Sequence, residues 1–455
     1  MNKTSTLFSA IALSLLASSV MAAVGPDEVA KLGTTLTPIG AEKAGNADGS
    51  IPSYDGGLPT NAAPVTANGF LGDPYANEKP LFTITAQNAE QYKAKLSEGQ
   101  LAMFKRYPDT YKIPVFTTHR SVGMPADVQQ RIKTSAAKVT LLEGGSGLKG
   151  FTESRYYAFP IPQNGLEVVW NHITRYRGGN LRRLYVQAAP QVNGNYTLVN
   201  FEDTVAFPER MPDLDAKKAA ATLLMFKQRV TAPARMAGNV LLVHESLDQV
   251  NDPRMAWIYN AGQRRVRRAP QVGYDGPGTA SDGLRTSDNF DMFNGAPDRY
   301  DWKLVGKKEL YIPYNNFRLA SPNVKYADIL TPGHPNPALA RYELHRVWVV
   351  EATLKEGERN IYAKRRFYID EDSWMIALSD HYDGRGQLWR VGEAMLMPYY
   401  TRQIPATALE SLNDLIAGRY IAVGLSNEEK EFVQFDLKAT AADFTPAALR
   451  NEGVR

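Results

Sequence analysis

The sequence predicts an α+β protein: a large curved antiparallel β-sheet set against a few helices and preceded by an extended N-terminal arm. Three observations carry this. Short strands separated by turn chemistry dominate residues 181–400, with no alternation of strand and helix of the kind that builds a parallel sheet. Helical periodicity is concentrated before them. Several strands are apolar on one face and half-apolar on the other, which a sheet washed by water on one side would not be.

The chain begins with "MNK" and the apolar run "LFSAIALSLLASSV". Small residues at Val20 and Ala22 then suit cleavage after Ala22, so residues 1–22 read as a secretory signal peptide. The run is shorter than the roughly 20 residues a membrane span needs. No cysteine occurs in the 455 residues, which excludes a lipid-modified N terminus and any disulfide. No later stretch is long and apolar enough to span a membrane as a helix. A soluble, periplasmic protein is therefore expected. Basic and acidic residues number 52 and 48, a balance that argues against a nucleic-acid binder.

Residues 23–85 are rich in Gly, Pro, Asn and Asp, which break both helix and strand. Ile51, Tyr54, Leu58, Phe70 and Tyr75 are spaced to tack this segment onto the main body, residues 86–455, as an arm. Two helical patterns follow. "NAEQYKAKLSEGQLAMFKRY" brings Tyr92, Leu96, Leu101 and Phe104 near one stripe, with Asn88 as its cap. "PADVQQRIKTSAAKVTLLE" spaces Val128, Ile132, Ala136 and Val139 at helical intervals. "EGGSGLKG" breaks the chain.

From about residue 155 the period becomes that of strands. "LRRLYVQAAP" and "NYTLVNFEDTVAF" flank Asn193-Gly194, a hairpin signal. "DAKKAAATLLMFKQRV" reads as a helical interlude. Eight further strands follow, from "NVLLVHESL" to "QLWRVGEAMLM". In "RVWVVEATLK" the residues Trp348, Val350, Ala352 and Leu354 share one face. Such a sheet either packs solidly on helices or curves around an apolar cavity.

"WIYNAGQRRVRRAP" reads as a hairpin whose return strand carries four arginines. Alternation puts Arg264, Val266 and Arg268 on one face and Arg265 and Arg267 on the other. Three readings stay open. The arginines are the solvated charges of an exposed strand, which discourage edge-to-edge pairing. Alternatively Arg265 and Arg267 sit at a cavity mouth or docking surface. Or the arginines pair with Asp288, Asp291, Asp298 and Asp301 just downstream.

The aspartates in "SDNFDMFNGAPDRYD" do not have the spacing of an EF-hand. The six histidines have no metal-ligand spacing, and no nucleophile elbow, Walker loop or dinucleotide fingerprint is present. No metal, cofactor or catalytic residue is expected. The aromatic stripe positions Trp257, Tyr259, Trp348, Trp374 and Trp389, with Val266 and Val350, are the candidates for contact with a hydrophobic ligand. Core packing is the plainer role for each of them.

Two stretches carry a family resemblance. "LTPIGAEKAGNADGSIPSYDGGL" resembles the N-terminal signature of domain of unknown function family 1329. "RMAWIYNAGQRRVRRAP…SDNFDMFNG…YDWKLVGKKELYIPYN", with the pair Phe367–Ile376 and His381–Arg390, resembles the outer-membrane lipoprotein-sorting proteins of the LolA, LolB and LppX half-barrel fold. That resemblance implies an antiparallel half-barrel around helices, with an apolar cavity that shields acyl chains in transit across the periplasm. A lipid or other hydrophobic ligand follows, with a transporter or outer-membrane protein as partner. The chain is more than twice the length of a minimal half-barrel, which puts direct lipoprotein transfer in doubt. The competing readings are an envelope accessory protein with a filled interior and a hydrolase.

Overall fold

The computed structural model describes residues 24–249 and 251–453. The expected signal peptide and its cleavage point after Ala22 lie outside the described residues.

Sixteen strands form one open sheet. Two short ones come first, β1 (Phe82–Ile84) and β2 (Ile113–Val115). A first meander follows: β3 (Leu181–Ala188), β4 (Leu198–Ala206), β5 (Thr222–Ala232), β6 (Val240–Ser246), β7 (Met255–Asn260) and β8 (Arg265–Arg268). A second contains β9 (Tyr300–Pro313), β10 (Tyr342–Leu354), β11 (Lys364–Asp370), β12 (Ile376–Tyr382), β13 (Leu388–Leu396), β14 (Thr407–Asp414) and β15 (Arg419–Leu425). The two-residue β16 (Gln434–Phe435) pairs with β3.

Within each meander every strand pairs antiparallel with the next, and β15 pairs antiparallel with β3, so the two meanders are one sheet. β2 joins at the start of β10 through a single parallel pairing, Tyr342 with Val115. The strand order ends at β8 on one side and at β1 on the other, β9 pairs only with β10, and the sheet does not close into a barrel.

Three helices matter for the core. α1 (Glu98–Arg106) rests on β12 and β13, close enough that a Cβ on Gly99 would lie 2.7 Å from Val391 Cγ1. It starts at Ser97, not Asn88; residues 89–95 form a 3₁₀ segment. α2 (Ala126–Ser135) contributes Val128 and Ile132 to the largest hydrophobic cluster. α3 (Gly165–Ile173) lies against β9 and β10 and is buried nearly all round, including Val168, Val169 and Trp170. Its polar Glu167, Asn171 and His172 are buried as well.

The expected interlude "DAKKAAATLLMFKQRV" is helical only over Ala216–Ala221, with Asp215 as cap. Its remainder is the eleven-residue β5. Ladders to β4 and β6 on both sides outweigh local helix propensity there.

The arm segment lies along the body and is fastened by apolar and polar contacts; Ile51 and Phe70 are buried in a hydrophobic cluster of the body, with Leu58 and Tyr75 packed against it. Arg120 donates to the carbonyls of Glu42 and Lys43 at 2.7 and 3.3 Å while holding Asp372. Trp374 Nε1 donates to Ile39 O at 2.8 Å. Tyr75 stacks on His119 with centroids 4.2 Å apart.

Candidate functional site

Alternation along β3 to β6 turns one row of apolar side chains to a common face. Leu181, Val205, Phe226 and Val243 stand directly opposite one another across the four strands. Leu224 and Leu241 flank them, and β14 and β15 add Glu410 and Val423. The segment between β8 and β9 folds back over this face with Val272, Arg285 and Phe290, and Arg175 and Arg177 close one side after α3. Between face and cover lies a cavity of about 180 Å³.

Five arginines and three carboxylates line this space. Arg254 pairs with Glu245 at 2.8 Å and Arg183 with Asp203 at 3.0 Å. Arg175 and Arg177 share Asp291, the latter at 2.8 Å. Burial alone would raise the Asp291 pKa, but the two guanidinium groups outweigh it and hold the carboxyl well below its ordinary range. Among the described residues Glu410 forms no ion pair. Burial first, and Asp291 second, push it up to about 7.

The sequence-derived candidates lie elsewhere. Trp257 and Tyr259 on β7, with Val266 on β8, point from the opposite face of the sheet and pack with Phe444 and Leu449 near the C terminus. Trp348 stacks on Trp374 at 6.0 Å, with Lys307 Nζ 4.6 Å from its ring. Val350 and Trp374 are fully buried in the main cluster. Trp389 donates to Asp414 at 2.9 Å and lies beside Arg390. None of these seven lines the cavity.

Arg265 and Arg267 are exposed on the edge strand β8 and are not among the residues that line the cavity, although Arg267 shares its sheet face through Ile258 and Leu241. Among the described residues neither they nor Arg264 and Arg268 form an ion pair; Arg268 lies over the Trp257 ring at 5.2 Å. The downstream aspartates do not serve them. Asp288 pairs with Arg365, Asp291 with Arg175 and Arg177, and Asp298 accepts from Tyr274. Arginines on neighbouring elements reach Asp288 and Asp291 first.

Two clusters bear on chemistry. His345, Asp370 and Asp372 are buried, with ligand-type atoms within 4.8 Å of one another. Asp372 is already held by Arg120, and His345 faces Glu343 at 3.2 Å. Ser379 Oγ lies 3.1 Å from His381 Nε2, but both residues are buried and His381 Nδ1 has no partner, so no acid orients the ring. Burial, then Arg365 and Arg390, hold that imidazole well below its usual pKa.

The cavity-lining residues escaped the sequence because they come from many elements. One signal was present for the wall beside α3. Asn164 precedes Glu167 by three residues, and its side chain accepts from the Glu167 N–H at 3.0 Å, a helix-start pattern just before Arg175 and Arg177.

A protein of Pseudomonas aeruginosa, described as uncharacterized protein PA3922, is 66% identical over 98% of this chain and 97% of its own length. Among solved structures, a domain assigned to outer-membrane lipoprotein sorting from Vibrio parahaemolyticus aligns over 63% of this chain and 98% of its own, at 14% identity and TM-score 0.44. A DUF1329 family protein from Desulfovibrio piger aligns over 60% and 92%, at 15% identity and TM-score 0.41. The family model for proteins of unknown function DUF1329 matches residues 83–450, and the chain therefore belongs to the DUF1329 family.

Proposed function

We propose that the protein is an exported, periplasmic binding or carrier protein for a lipid or other hydrophobic molecule. The observation that carries this reading is the cavity of about 180 Å³, walled by the Leu181–Val205–Phe226–Val243 row and covered by the segment before β9. Ligand sites are concave and mainly apolar with a few placed polar groups. The leader-like N terminus supports the compartment. The test is organic extraction of protein purified from the periplasm, followed by mass spectrometry, with titration of a fluorescent apolar probe. A co-purifying hydrophobic molecule and saturable probe binding are expected; neither occurring would refute the reading.

A second reading, docking of a transporter or outer-membrane protein, is favoured by the unpaired Arg264, Arg265, Arg267 and Arg268 at an open sheet edge. It requires that reversing these four charges abolishes capture of an identified envelope partner while probe binding persists.

A further inference from the structure

Four of the five arginines that line the cavity have a carboxylate partner. Arg285 does not. It is buried, at 6% exposure, and among the described residues no carboxylate lies within ion-pair distance of it. Among the described residues its Nε has no hydrogen-bond acceptor, and its one side-chain hydrogen bond is a long 3.4 Å approach of Nη2 to Gln187 Oε1. Glu410, Asp203 and Asp288 act on it only from beyond bonding distance, so this buried guanidinium carries a desolvation cost that no direct ion pair offsets. Its position is built rather than accidental. The Phe290 ring lies beneath it at 5.5 Å, and a Cβ on Gly278 would approach its central carbon to 3.1 Å. Glu410, the neighbouring carboxyl, instead accepts from the Met292 N–H at 3.3 Å.

We propose that the cavity takes a single-tailed anionic amphiphile, whose carboxylate is received by Arg285 while its apolar body lies along Val205, Phe226 and Val243. This rests on the carrier reading and narrows it. The planar fork of Arg285, whose Nε has no acceptor and whose Nη2 makes only the long approach to Gln187, matches the two oxygens of a carboxylate. Arg177 and Arg183, both partly exposed, add positive charge toward solvent. The volume sets the size. About 150 Å³ accommodates benzene, so 180 Å³ holds part of one chain or a ring and not two acyl chains.

The experiment is a pair of titrations on the full chain with cis-parinaric acid and its methyl ester, which share a tail and differ in charge. The acid is expected to bind at least tenfold more tightly. In Arg285→Gln this preference collapses toward one while ester binding is retained. Ester and acid binding equally to the unaltered protein would overturn the anionic site and leave the carrier reading standing, without any variant needing to fold. Binding of neither would remove both. A preference that survives in Arg285→Gln would also overturn the assignment.

Discussion

Glu393 on β13 is buried, and its carboxyl accepts from the Tyr111 and Tyr342 hydroxyls at 2.9 and 3.1 Å. Among the described residues it has no cationic partner. Burial pushes its pKa up to about 7, and the tyrosine hydrogen bonds only partly offset this. Because the folded value lies above the unfolded one, the contribution to stability is fully present below the unfolded pKa, in acid. It is lost as pH rises through about 7. Burial raises Asp380, and burial with Asp372 raises Asp370, to about the same value. The protein should therefore lose stability between pH 5 and 8 in urea titrations. Glu393→Gln should be more stable than the unaltered protein at pH 8 by about 1–3 kcal/mol, with no gain near pH 4.5. A gain independent of pH would contradict this assignment. The sequence shows Glu393 on a strand, in "VGEAML", but not that its neighbours are hydroxyls. Arg285 was as opaque. In "DGLRTSDNF" it reads as one charge among several, and only tertiary structure shows which aspartates are already taken.

Two elements can be tested through their local chemistry, although the sequence pattern points to Asn88 as the first cap. Ser97 caps α1: its Oγ accepts from the Gln100 N–H, and Gln100 Oε1 accepts from the Ser97 N–H, both at 3.0 Å. Ser97→Ala should cost about 1 kcal/mol, read as a lower urea midpoint at unchanged slope. The arm depends on Trp374, which holds φ +57° at the turn between β11 and β12 and donates to the Ile39 carbonyl. Trp374→Phe keeps a ring against Trp348 but removes the donor. It should cost about 1–3 kcal/mol and speed protease cleavage within residues 24–60. Equal cleavage rates would show that the arm is held by its other anchors. Hairpins were legible because Asn-Gly and similar turns announce them. β5 was not, since Ala216–Ala221 and the strand after it share one run of good helix formers, and only pairing with two neighbours separates them. α3 was hidden for the opposite reason. It is only nine residues long, and its polar Glu167, Asn171 and His172 are buried with its apolar ones, so polarity does not mark an exposed face.

At the scale of the molecule the two meanders meet at a short seam, where Ala422, Val423 and Leu425 of β15 pair with Ala188, Gln187 and Val186 of β3. The cavity lies beside this seam, with Glu410 and Val423 from the second meander facing Leu181 and Arg183 from the first. Its position depends on contacts between residues more than 200 apart in sequence, and so the aromatic stripes could suggest a cavity but not locate it. A variant that fills the space separates a carrier from a solidly packed accessory protein. Val243 stands between Phe226 and Ala256 on its neighbouring strands and projects into the cavity. In a close-packed core, Val243→Phe would force side chains off their rotamers at a cost of about 1–3 kcal/mol. Here the added ring enters open volume and buries apolar surface, so thermal stability should hold or rise. Probe binding should fall at least tenfold, because the ring occupies the place of the ligand's apolar body. A lower melting temperature with undiminished probe binding would mean that the probe binds elsewhere, and would return weight to the exposed arginines of β8 as the working surface.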